Sequence, residues 1–257
     1  MKGIVFGGCS FTWGQGLYYY SDMDNVIPQV DEDFHPSRLT KAHLLYKDTL
    51  RFPRLVANHF KTFEVVRDSN GGSDEWSMKF VNGLFNGNGV EGKFDYCEID
   101  YIIFQTSQIV RNSFQFELGG ILYDRTGPKG NEFLLSWLLE NNITYDQWFD
   151  DFCKKTLEMI KNFFILYESK GIKTKIICWQ NDLLPYIKND EYMNERHIKL
   201  NYSLKEYDSI DDLVKNNDYM LISQDYLNFN NPINDRHPSK LCHQIIAQSI
   251  IKNIENK

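Results

Sequence analysis

The stretch MKGIVFGGCSFTWGQGL, residues 1–17, decides how the rest of the chain is read. Ile4, Val5 and Phe6 form a short apolar run of the kind that makes a buried strand. Gly7, Gly8, Gly14 and Gly16 then break the pattern. Ser10 falls where a strand hands over to a turn, a place that exposes a hydroxyl to an incoming ligand. Two readings of Ser10 follow. It is a nucleophile, or it is a helix N-cap, a position that prefers serine.

Outward from this stretch, short apolar runs alternate with amphipathic ones. Strands are expected at 2–7, 63–67 (FEVVR), 99–106 (IDYIIFQT), 173–179 (KTKIICW) and 218–222 (DYMLI). Runs such as YIIF and KIICW are nearly continuous in apolar residues, which indicates strands covered on both faces of a mainly parallel sheet. Helices are expected at 50–60, 74–85, 145–171 with a stop at Gly171, and 239–257 with Ser239 as N-cap. The alternation predicts an α/β fold, a three-layer α/β/α sandwich around a mainly parallel five-stranded sheet. Residues 18–49, 112–140 and 185–217 do not fit the alternation and are expected to be lid-like insertions in a single domain spanning 1–257.

At 257 residues one domain is the simplest count. A net charge of −7 argues against a nucleic-acid partner, because phosphate binding needs a basic stripe. No window is long enough and apolar enough to span a membrane, and the start lacks the pattern of a signal peptide, so a cytoplasmic location is expected. The five cysteines, Cys9, Cys97, Cys153, Cys178 and Cys242, show neither CxxC nor His-paired spacing. Free thiols are therefore expected. His35, His43, His59, His197 and His243 have no metal-ligand spacing, and nothing in the pattern calls for a metal or a cofactor.

In an open parallel sheet, ligands bind beyond the carboxyl ends of the strands. The first strand is followed by Gly8, Cys9, Ser10, Phe11 and Thr12. The second is followed by Asp68, Ser69, Asn70, Gly71, Gly72 and Ser73, and the third by Gln105, Thr106, Ser107 and Arg111. Just before the last helix stands N-D-R-H-P-S, with Asp235 and His237. A hydroxyl nucleophile, glycine amides, and an Asp/His pair on one edge make up the set that acyl transfer requires.

These motifs resemble the blocks of the SGNH (GDSL-type) hydrolase superfamily. GGCSFTWG is similar to its first block in the Gly-Cys-Ser-Phe-Thr form, NGGSDEW to its second, and DRHPS to its last, while QTSQIVR lies where the third block sits. The resemblance implies a flavodoxin-like SGNH fold. It implies Ser10 as nucleophile, His237 as general base and Asp235 as orienting acid. It also implies an oxyanion hole from the N–H groups of Ser10 and of Gly71 or Gly72. Two departures stand out. The third block usually presents an Asn side chain, and here that place holds Thr106 or Ser107. The acid often lies three residues before the His, where this chain has Asn234, with Asp235 two before.

The implied activity is hydrolysis of a carboxylic ester, such as an acetylated glycan or a small acyl ester. Trp13, Tyr18, Tyr19 and Tyr20 are candidates for stacking on sugar rings, or for packing a lid. Arg111 is a candidate substrate clamp or a salt-bridge partner. Cys9 is a rival nucleophile to Ser10. A binding module for a glycan or protein, with little turnover, is the alternative class. A nucleotide-binding Rossmann fold is disfavoured because the glycines lack GxGxxG spacing.

Overall fold

The computed structural model describes residues 1–23, 40–66, 73–87, 93–107, 114–118, 121–125, 131–225 and 235–256. The chain opens with β1 (Gly3–Gly7), α1 (Ser10–Trp13), a 3₁₀ turn (Leu17–Tyr19) and α2 (Tyr20–Met23). Next come α3 (Lys41–Leu50), α4 (Phe52–His59), β2 (Glu64–Val66), α5 (Asp74–Asn86) and β3 (Ile99–Gln105). A hairpin of β4 (Phe114–Leu118) and β5 (Ile121–Arg125) precedes α6 (Asn131–Glu140), α7 (Tyr145–Glu168) and β6 (Lys173–Ile177). The last third holds α8 (Leu184–Asn189), α9 (Glu191–Asn194), β7 (Leu200–Tyr202), β8 (Lys205–Tyr207), α10 (Ile210–Lys215) and α11 (Lys240–Glu255).

The central sheet has the order β2-β1-β3-β6, and every neighbouring pair is parallel. Alternation along each strand sends successive side chains to opposite faces. Val5, Ile102, Phe104 and Ile176 share a buried cluster with Val81 and Leu84 of α5 and with Ile160 and Phe164 of α7. Ile4, Phe6, Ile103 and Ile177 share another with Phe52 and Val56 of α4, Leu213 of α10, and Ile246 and Ile250 of α11. The chain is therefore α/β, with a parallel four-stranded sheet flanked by helices. Side-chain caps start the helices where the sequence places Ser or Thr. Ser73, Thr144 and Ser239 each accept the backbone N–H three residues on.

Two expectations are corrected. Residues 218–222 do not form a fifth strand. Leu221 makes one antiparallel bridge with Pro238, Tyr219 turns to φ +66°, and Ile222–Gln224 closes as a 3₁₀ turn. A proline partner lacks the N–H that would extend the ladder. The outer side of β6 instead carries isolated parallel bridges, Ile176 with His197 and Cys178 with Ser209. The second concerns 185–217, which packs into the core: its Ile187 and Met193 join one buried cluster, and its Ile198, Leu200, Ile210 and Leu213 join the other.

Candidate active site

β1 is buried along its whole length, and at its carboxyl end the chain turns directly into α1. The turn needs a residue without a side chain. A Cβ on Gly8 would overlap the hydroxyl of Thr12. The N-cap of α1 is Cys9, with no side-chain cap hydrogen bond, so Ser10 is the first helical residue and not the cap. Beneath the turn, Thr12 Oγ1 donates to Gln105 Oε1 at 2.7 Å, and the Gln105 amide donates to Cys9 Sγ at 3.3 Å and to the Thr106 carbonyl at 2.8 Å. Cys9 is thus held against the end of β3.

Ser10 Oγ stands 3.1 Å from His237 Nε2, across 227 residues of sequence. His237 Nδ1 stands 2.6 Å from Asp235 Oδ1, and that same oxygen accepts the His237 backbone N–H at 2.8 Å. An ionised carboxylate only accepts hydrogen bonds, so Nδ1 carries the ring proton. Nε2 then turns its lone pair to the Ser10 hydroxyl. The three side chains form one continuous chain of hydrogen bonds, with Asp235 against the His237 ring.

The Asp235–His237 loop is fastened by the segment that was expected to be a strand. Ser223 N–H donates to the Asp235 carbonyl at 2.8 Å, Ile222 N–H to the His237 carbonyl at 3.0 Å, and Ser239 N–H to the Met220 carbonyl at 2.8 Å. Behind them, Tyr20 Oη donates to Asp225 Oδ2 at 2.6 Å and accepts the Lys240 N–H at 3.3 Å. Burial raises the Tyr18 and Tyr19 phenols, and the Asp235 charge adds to the rise in both, so these hydroxyls stay protonated beside the acid.

At the end of β3, Thr106 and Ser107 are both buried. Thr106 Oγ1 accepts the Trp179 N–H at 3.0 Å, which ties this loop to the end of β6. Ser107 N–H donates to Asp74 Oδ1 at 2.7 Å. Gly71, Gly72 and Arg111 lie outside the described residues, as does Asn234.

Burial separates the two readings of the aromatics near Ser10. Trp13 is buried, and Lys47 Nζ lies 3.6 Å from its ring centroid, so that face is not an open stacking platform. Tyr18 and Tyr20 are also buried, which leaves only Tyr19 of the triplet partly exposed. The partly exposed aromatic ring at the site is Trp179, packed against buried Phe11 with ring centroids 3.8 Å apart and planes at 61°. Phe11 also meets the His237 ring edge-on at 5.2 Å. Trp179 closes the run KTKIICW, and the rule that ligands bind beyond strand ends points to it as directly as to Ser10.

All five cysteines are free thiols, and among the described residues no cluster of His, Cys, Asp and Glu is placed to hold a metal ion. Among the same residues no helix is long and apolar enough to cross a membrane. No protein-family model matches this chain, and no curated protein and no solved structure matches it either.

Proposed function

We propose that this chain is a serine ester hydrolase that works through an acyl-enzyme. One observation carries the reading: Asp235 Oδ1, the His237 ring and Ser10 Oγ are linked in series at 2.6 and 3.1 Å. Such a series is the arrangement by which a weak hydroxyl becomes a nucleophile. We further read the helices on the two faces of the sheet as the outer layers of a three-layer α/β/α domain of SGNH type.

In this mechanism Ser10 Oγ attacks the ester carbonyl carbon as its proton passes to His237 Nε2. Asp235 holds the ring and stabilises the imidazolium. The tetrahedral intermediate collapses, the C–O bond to the alcohol breaks, and Nε2 returns the proton to the departing oxygen. Water, deprotonated by the same Nε2, then attacks the acyl-Ser10 carbonyl; the acyl C–Oγ bond breaks, Nε2 returns the proton to Ser10 Oγ, and the carboxylic acid leaves. The Ser10 N–H, at the start of α1, is one donor to the oxyanion. The Gly71 or Gly72 N–H and the Ser107 or Thr106 hydroxyl are the others proposed. Removing one such donor typically costs ~3 kcal/mol of barrier.

A neutral substrate suits the net charge of −7, and the half-buried Trp179 ring, packed edge-on against Phe11 beside His237, suits an acyl chain or the apolar face of an acetylated sugar. The test is to incubate the folded protein with a fluorophosphonate probe and to find the labelled peptide by mass spectrometry. Label on Ser10, lost in Ser10→Ala, is expected. A folded protein that takes no label, or takes it elsewhere, overturns the reading and favours a binding module.

A further inference from the structure

The first turn of α5 grips two loops at once. Asp74, its first residue, is fully buried, and its Oδ1 accepts the Ser107 N–H at 2.7 Å from the loop after β3. Ser77, three residues on, donates its hydroxyl to the Gly8 carbonyl at 3.0 Å, in the turn that leads into Ser10. Residues three apart on a helix share a face, so the two contacts issue from one rigid edge. The turn itself is anchored, because Ser73 caps it by accepting the Trp76 N–H at 3.3 Å.

We propose that Asp74 is a positioning residue for the oxyanion side of the Ser10 site. The proposal rests on the reading of Ser10 as nucleophile. A hydroxyl at the third donor place is shorter than the amide side chain that it replaces. It reaches the oxyanion only if the loop after β3 is held close to the Ser10 turn. Asp74 and Ser77 set that separation by fastening both loops to one helix. A carboxylate accepting a backbone N–H is a short and strong tie. It suits a loop whose position must not drift by the ~1 Å that costs an enzyme ~10²-fold in rate.

Steady-state kinetics on a short-chain aryl ester test this with Asp74→Ala, Asp74→Asn, Ser107→Ala and the double variant Asp74→Ala/Ser107→Ala. Asp74→Ala is expected to lower kcat by about 10- to 100-fold while KM changes by less than about 3-fold, the mark of a contact that matters only in the transition state. Asp74→Asn keeps an oxygen that accepts the Ser107 N–H and is expected to restore most of the rate. The double variant is expected to be little worse than the poorer single one, since both changes act through the same loop. Asp74→Glu keeps the charge but lengthens the arm by one methylene, and it carries the test if the alanine variant does not fold. It is then expected to lower kcat with KM preserved. An unchanged kcat in Asp74→Ala or, failing that, in Asp74→Glu overturns the proposal alone. So do additive losses in the double variant. Wild-type protein with no Ser10-dependent turnover and no Ser10 label overturns both this proposal and the reading on which it rests.

Discussion

Gly16 and Asp235 share a space that no side chain could enter. The backbone of Gly16 lies at φ +85°, and a Cβ there would stand 2.9 Å from Asp235 Oδ2 and would collide with Ile222. The acid that holds His237 is thus itself seated against bare backbone. The glycine is required twice over, by its dihedral and by the carboxylate behind it.

Gly16→Ala is therefore expected to displace Asp235 from the His237 ring. Thermal unfolding should show a loss of about 1–3 kcal/mol from strain at a left-handed position. Turnover of an aryl ester should fall further than that loss of stability explains, with the damage in kcat.

Asp235→Asn keeps the shape of the acid but offers the ring an amide. The hydrogen-bonding pattern then no longer holds the proton on Nδ1. Turnover is expected to fall by on the order of 10⁴-fold with little change in melting temperature. Retention of more than a tenth of wild-type turnover would show that the Asp235 bond is not what orients His237.

Gln105 supports the nucleophile turn from below through Thr12 and Cys9. Gln105→Leu leaves the Thr12 hydroxyl without its acceptor in a buried place. Denaturant titration should record a loss of ~1–3 kcal/mol. The variant tests whether the turn is held by this amide or by the backbone alone.

His243 lies fully buried in α11, stacked on Phe52, with its Nδ1 accepting the Phe52 N–H at 3.2 Å. Burial, reinforced by the charges of His237, Arg51 and Lys47, pushes it down to about 3. The folded protein keeps this ring neutral where the unfolded chain, with an ordinary histidine near 6.5, takes up a proton. Below about pH 6.5 the unfolded state binds more protons, so stability falls as pH drops towards 3 and is unaffected above that window. Denaturant titrations at pH 7 and pH 5 should show the drop, and His243→Gln should flatten it. An identical pH slope in the variant would assign the acid sensitivity to other groups.

Much of this molecule was legible one residue at a time. Burial on both faces makes a strand nearly all apolar, so IVF, YIIF and IIC announce β1, β3 and the carboxyl end of β6 without reference to the rest of the chain. The Ser239 cap announces α11 in the same way, since a hydroxyl that binds a nearby N–H is a local event. The glycines around Ser10, and the Asp and His before the last helix, were visible as the parts of one site because the order of a parallel sheet brings strand ends to one edge.

What the linear pattern does not contain is which side chains share a volume. DYMLI reads as a strand, yet Pro238 offers it no N–H, and it closes on the His237 loop instead. Trp13 and Trp179 look alike as aromatics beside strand ends. Only packing places Lys47 over the first and sets the second against Phe11. Asp235 lies against the backbone of Gly16 and bonds the His237 ring, a meeting of residues more than two hundred positions apart that only packing creates. The sequence alone determined the four strands of the central sheet, the cap of α11 and the kinds of residue at the site, because these follow from local periodicity and local hydrogen bonds. The tertiary structure alone decided their partners, because the contact between Ser10 and His237 spans 227 residues and exists only once two faces of one sheet have been buried.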